Sequence, residues 1–275
     1  MVFQRVIAGI DGTRASFEAG RQAARLVRPG GSLDLVAITD PYLLTLNRWG
    51  ARPLIEPGEV DEGGLGALAE RRLTDYAKES LALMRSQLPD ALSVREQVFA
   101  GKSWEVLRAM AVDESADLIA VGSHGDRRLA GIVRGSTATE LLHDAPCSTL
   151  VARAAIDPGR FPSSVVVGVD GSTESFAGLD LAKELVTASG GAAGGRALIA
   201  SGANVDIGDL EGPAAPLAVA RRSVGPIKVL IEASGACDLV ILGARGLTGH
   251  RALGSVSERV AHRADCSVLV VRPSD

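Results

Sequence analysis

Residues 117–142, DLIAVGSHGDRRLAGIVRGSTATELL, decide how the chain is read. The apolar run Asp117 to Val121 has the length and continuity of a buried parallel strand, and Thr137 to Leu142 opens a helix. Between them the glycines fall as Gly122, two residues, Gly125, nine residues, then Gly135 and Ser136. Glycine in a strand-to-helix connection lets backbone amides approach an anion closely. The N-terminus of the next helix adds unpaired N–H groups and a positive dipole end. The stretch Val121 to Thr137 is therefore expected to cradle a phosphate.

Working outward, the upstream segments alternate between strand and helix patterns. Arg5 to Ile10 reads as a strand closed by the turn Asp11-Gly12-Thr13, and Ser16 as the cap of a helix stopped by Pro29-Gly30-Gly31. Strand, helix, strand and helix follow at Leu33–Thr39, Leu68–Leu88, Ser93–Phe99 and Trp104–Glu114, and a fifth strand at Cys147–Ala152. Asp40 to Gly66, with Pro41, Pro53 and Pro57, reads as a long loop of the kind that serves as a lid or interaction arm.

The chain then repeats itself. Ile7-Ala8-Gly9-Ile10-Asp11-Gly12-Thr13 answers Val166-Val167-Gly168-Val169-Asp170-Gly171-Ser172, and Gly122-Ser123-His124-Gly125 answers Gly243-Ala244-Arg245-Gly246. His143 to Ser148 answers His262 to Ser267. Two homologous domains are expected, at residues 1–154 and 162–275, with 155–161 as linker. Each is read as α/β, a doubly wound, Rossmann-like, five-stranded parallel sheet of order 3-2-1-4-5. The two aspartates are 159 residues apart but the two loop glycines only 121, so the second copy is shorter by about 38 residues. The loss falls between a strand at Arg196–Ala200 and one near Leu217–Val224, so the second helix of that copy is expected to be absent or vestigial.

Composition narrows the function. Aliphatic residues are plentiful and aromatics make up only 3%, which suits parallel strands covered on both faces. A net charge of −4, with acids and bases interspersed, leaves no footprint for nucleic acid or an anionic membrane. The N-terminal apolar run ends at Asp11, too soon for a signal peptide or a span, and a cytoplasmic address is expected. Cys147, Cys237 and Cys266 show no CxxC spacing and are read as buried, reduced thiols.

A ligand of a doubly wound sheet binds at the carboxyl ends of its strands, where the order reverses. With strands one and four adjacent, Asp11 would meet ribose hydroxyls, Ile38 would flank a base and the glycine loop would hold phosphates. Duller roles stand beside these: an Asx-turn for Asp11, packing and tight turns for the glycines, and helix-end capping for His143 and His262.

The paired Asp-Gly-Thr/Ser turns, the Gly-x2-Gly-x9-Gly-Ser loop and the Ala-Pro-Cys-Ser-x-Leu-Val ending at 145–151 resemble a tandem universal stress protein, ATP-binding in its first half. The resemblance implies an ATP site at Asp11, Ile38, Gly122, His124, Gly125, Gly135, Ser136 and Thr137, flanked by Ile10, Gly12 and Val121, with Mg2+ as accompanying cation. It further implies pairing through the fifth strands, Ser148–Ala152 and Ser267–Val271, and a homodimer with a protein partner. In the second copy only seven residues separate Gly246 from Gly254, so the site at Asp170, Gly243, Arg245, Gly246, Gly254 and Ser255 is expected to be degenerate. No Gly-x4-Gly-Lys-Ser/Thr loop and no paired base and nucleophile occur, so a regulator is expected rather than an enzyme, with a slow ATPase or a nucleotide-independent scaffold as alternatives.

Overall fold

The computed structural model describes residues 2–39, 64–123, 136–189, 194–200, 217–222, 225–244 and 254–273. The first half runs β1 (Phe3–Gly9), α1 (Arg14–Leu26), β2 (Val27–Thr39), α2 (Gly64–Arg85), β3 (Ser93–Ala100), α3 (Ser103–Asp113), β4 (Leu118–Gly122), α4 (Ser136–Asp144) and β5 (Ser148–Ala152). A 3-10 turn at Pro158–Arg160 leads into the second half. There the order is β6 (Ser164–Val169), α5 (Thr173–Ala188), β7 (Gly194–Ala200), β8 (Ala218–Arg222), α6 (Pro226–Ser234), β9 (Leu239–Gly243), α7 (Ser255–Arg263) and β10 (Ser267–Val271).

The strands lie in the order β3-β2-β1-β4-β5-β10-β9-β6-β7-β8, which is the expected 3-2-1-4-5 order in each half, joined edge to edge. Neighbours within each half are parallel. The seam is antiparallel, with Val268 opposite Val151, Leu269 opposite Leu150 and Val270 opposite Thr149. The implied fifth-strand pairing is thus made inside one chain, and two five-stranded sheets become a single ten-stranded one.

Alternation along each strand sends side chains to two apolar layers. Val6 and Ala8 of β1 join Ala19, Ala23 and Leu26 of α1 and Leu81 and Met84 of α2. Ile7, between them, faces Leu107 of α3 and Leu141 of α4 on the other side. Leu118, Ile119, Ala120 and Leu150 are fully buried, as expected of central parallel strands covered on both faces. Fully burying a leucine or isoleucine contributes about 1.5–3 kcal/mol.

Several boundaries differ from the sequence reading. Helix α1 begins at Arg14 with Thr13 as its cap, because Thr13 Oγ1 accepts from Ser16 N at 3.2 Å; Ser16 lies inside the first turn. The helix already ends at Leu26, and Pro29-Gly30-Gly31 lies within β2. The third strand of the second half is Ala218–Arg222, beginning one residue after the expected Leu217; residues 223 and 224 lie outside the described residues. Helix α2 begins at Gly64, so it takes in the last residues of the loop expected over Asp40–Gly66; residues 40–63, and residues 201–216 where a vestigial helix is expected, lie outside the described residues.

Two aspartates anchor strand starts in the same way. Asp117 Oδ2 accepts from Gln4 N at 2.7 Å and Arg5 N at 2.8 Å. Its counterpart Asp238, fully buried, accepts from Ile156 N at 2.7 Å and Ser163 N at 2.9 Å, and also from the Ser163 hydroxyl. The segment between the halves is thereby tied to β9.

Candidate functional site

The crevice is built around the turn that follows β1. Gly12 has φ +80°, a left-handed conformation that favours glycine, and it lets the chain reverse directly into α1. Asp11 is exposed; its Oδ1 accepts from Thr13 N at 3.0 Å and from Thr13 Oγ1 at 2.6 Å. Ser16 closes the knot, donating to Thr13 O at 3.0 Å and accepting from Asp11 N at 3.2 Å. The Asx-turn foreseen as the duller role of Asp11 is therefore present, and Oδ2 takes part in none of these bonds.

The second half builds the same turn from different residues. Asp170 Oδ1 accepts from Ser172 N at 3.0 Å and Ser172 Oγ at 2.7 Å, Ser172 Oγ accepts from Ser175 N at 3.2 Å, and Gly171 has φ +89°. A geometry reproduced at this level in both copies shows that the turn belongs to the fold.

β1 and β4 are adjacent, with Val6, Ile7 and Ala8 opposite Leu118, Ile119 and Ala120. The Asp11 turn and the start of the glycine loop therefore open on the same end of the sheet. They also touch. A Cβ on Gly122 would lie 2.7 Å from Ala15 C and 2.8 Å from Ser16 N, closer than carbon can approach backbone. At Gly243 the equivalent distances are 2.5 Å to Glu174 C and 2.6 Å to Ser175 N. The first glycine of each loop is thus required for packing β4 on α1, and β9 on α5.

The remaining sequence-predicted residues divide. Ile10 and Val121 are buried in opposite apolar layers, and Ile10 N donates to Val36 O at 2.8 Å, so their side chains serve the core. Ile38 is half-buried near the end of β2, opposite Phe99 of β3. Ser136 and Thr137 begin α4, and Gly254 precedes α7, which Ser255 begins. His124, Gly125 and Gly135, with Arg245 and Gly246, lie outside the described residues.

Sequence reasoning missed Tyr76 and Ser80 of α2. A Cβ on Gly12 would collide with the Tyr76 hydroxyl and lie 2.8 Å from Ser80 Oγ, so α2 lays both hydroxyls against the turn. Their spacing of four residues puts them on one helical stripe, beside the buried Ala77, Leu81 and Met84. That stripe was the available signal. Among the described residues, no group of three or more His, Cys, Asp or Glu could hold a metal ion, and no helix is long and apolar enough to cross a membrane.

A doubly wound sheet with an Asp-Gly turn after its first strand, packed against the glycine that ends its fourth, defines an α/β protein with its crevice at the topological switch point. Comparison at family level matches the Universal stress protein family over residues 3–153 and 198–272. The chain belongs to that family. Universal stress protein Rv2005c of Mycobacterium tuberculosis is 28% identical over 305 residues, covering 98% of this chain and 97% of the relative. A universal stress protein of Mycolicibacterium smegmatis is 26% identical over 307 residues, with 98% and 97% covered. The solved universal stress protein from Archaeoglobus fulgidus DSM 4304 shares the fold, with a TM-score of 0.71 at 18% identity, covering 98% of this chain and 97% of that one.

Proposed function

We propose that the first half binds ATP in the crevice at the carboxyl ends of β1 and β4, and that occupancy changes what the protein binds. The observation that carries this is the direct packing of Gly122 on Ala15 and Ser16, which sets the start of the Gly-x2-Gly-x9-Gly-Ser loop against the Asp11 turn. In this proposal Asp11 accepts from ribose hydroxyls and Ile38 flanks the base; the exposure of Asp11, with Oδ2 outside the turn network, supports that role. Phosphates fall to the amides of the loop and to the α4 N-terminus at Ser136 and Thr137. Mg2+ would arrive on the phosphates of ATP, as this cation commonly does.

In this reading the protein is a regulator in the cytoplasm, and the second half, whose loop is two residues shorter, serves structure more than binding. A homodimer and a protein partner belong to the same proposal. Mass spectrometry of protein purified without added nucleotide, with thermal unfolding in the presence and absence of Mg·ATP, tests it. Retained nucleotide or an upward shift supports the site; neither one favours a scaffold. Asp11→Ala and Gly135→Val are expected to abolish binding. Turnover on the order of 1 per second or faster would identify an enzyme instead.

A further inference from the structure

The second half carries two sulfurs that the nucleotide crevice does not use. Cys237 stands just before Asp238 and β9, and Cys266 just before β10. β9 and β10 are parallel neighbours with Leu239 opposite Ser267, which sets the two cysteines side by side at the strand starts. Their Sγ atoms lie 3.6 Å apart in a hydrogen bond, and each residue is 3% exposed. A disulfide requires about 2.05 Å, so the sulfurs need close by only about 1.5 Å.

The first half provides a comparison within the same molecule. Asp117 answers Asp238, so the position of Cys237 is held there by Ala116, while Cys147 answers Cys266. Cys147 has no partner thiol at that place, and burial pushes its thiol up to about 12. Cys237 shifts the other way: its hydrogen bond with Cys266 lowers it against the opposing effect of burial. A hydrogen bond between the two sulfurs favours a thiolate within this pair, an aid that Cys147 lacks.

We infer that Cys237 and Cys266 form an oxidation site that a small peroxide converts into an intrachain disulfide. The burial of both sulfurs selects the oxidant, since hydrogen peroxide is a small neutral molecule whereas a disulfide reagent is too bulky to reach them in the folded chain. The Cys237 thiolate attacks one peroxide oxygen; an S–O bond forms, the O–O bond breaks, and the departing hydroxide takes a proton to become water. The Cys266 sulfur then attacks the Cys237 sulfenic sulfur. An S–S bond forms, the S–O bond breaks, and the released hydroxide leaves as water with the Cys266 thiol proton. Two thiols and one peroxide give one disulfide and two waters.

The site lies at a structural junction. Cys266 O accepts from Arg153 Nη1 at 3.1 Å, and Asp238, next to Cys237, holds the segment between the halves. A disulfide would clamp the starts of β9 and β10 where both attachments converge.

The test uses the full reduced chain, exposed to hydrogen peroxide, denatured, alkylated and mapped as peptides without reduction. The expected result is a single cross-link between Cys237 and Cys266, a fall from three alkylatable thiols to one, and formation on the order of tenfold faster than oxidation of Cys147. Cys147→Ser should cross-link as the parent does. Cys266→Ser should yield a Cys237 sulfenic acid trapped by dimedone and no cross-link. The thiol count of the unaltered chain decides the matter even if a variant misfolds. Three thiols surviving peroxide, or cross-links through Cys147 or between chains, would overturn the inference.

Discussion

Arg153 and Arg272 occupy equivalent places, one residue past β5 and one past β10, and each crosses the seam to finish the other half's last helix. Arg153 donates to Ala261 O at 2.6 Å, in the last turn of α7, and to Cys266 O at 3.1 Å, just before β10. Arg272 donates to Leu142 O at 2.8 Å and His143 O at 3.3 Å, at the end of α4. Helix ends leave carbonyls unpaired, and a guanidinium can satisfy them: two at the end of α4, one at the end of α7. Both arginines are largely buried, which lowers their pKa values without removing their charge. A third bridge, Ser267 Oγ to Gln22 Oε1 at 2.7 Å, joins α1 to β10 on the seam.

The arginines should hold the halves in one cooperative unit. Arg153→Ala or Arg272→Ala is expected to cost about 1–3 kcal/mol, by leaving buried carbonyls unpaired. Urea unfolding followed by two probes should then separate into two transitions, one per half. Coincident transitions at the parent midpoint would show the contacts to be dispensable.

Gly122→Ala and Gly243→Ala should destabilise by similar amounts, about 1–3 kcal/mol, because each added Cβ meets the backbone of the helix packed against it. The comparison is made by chemical denaturation without nucleotide. A loss confined to nucleotide affinity, with stability intact, would contradict the packing role.

The two aspartate turns separate structure from binding. Asp11→Ala and Asp170→Ala both remove an Asx-turn next to a helix cap and should each cost about 0.5–2 kcal/mol. Only the first should also abolish ATP binding, measured by calorimetry. Asp11→Asn, which keeps a carbonyl oxygen for the turn, should restore stability more fully than affinity.

His262 gives the fold a pH dependence. Burial lowers its pKa below the ordinary 6.5; Glu258 opposes this, while Arg153 and His143 add to it. The unfolded chain therefore binds a proton that the folded chain does not, so this contribution to stability is present above about pH 6.5 and is lost as pH falls through the folded value. Unfolding midpoints between about pH 8 and pH 5 should fall with a shallower slope in His262→Gln. An unchanged slope would assign the acid sensitivity elsewhere.

The strand order was legible because the repeat states it twice, with Asp11 and Asp170, Gly122 and Gly243, and Ser148 and Ser267 fixing equivalent positions. The cap of α1 was misplaced by three residues because Thr13 and Ser16 share one hydrogen-bonded knot, and sequence does not show which hydroxyl accepts. Ile10 and Val121 flank the site in sequence, yet strand alternation turns both side chains into the core. The α2 stripe marks Tyr76 and Ser80 as sharing a face but not that Gly12 lies against it, and nothing in the spacing of Cys237 and Cys266 brings them together: both contacts are made by tertiary packing.

The antiparallel seam between β5 and β10 also changes the arithmetic of assembly. Two separate copies pairing by these edges would part on dilution, whereas a tether of a few residues holds the second edge at an effective concentration in the millimolar range or above. The pairing is thus independent of how much protein the cell makes. Because the two edges are spent on each other, further copies must meet this chain through other surfaces.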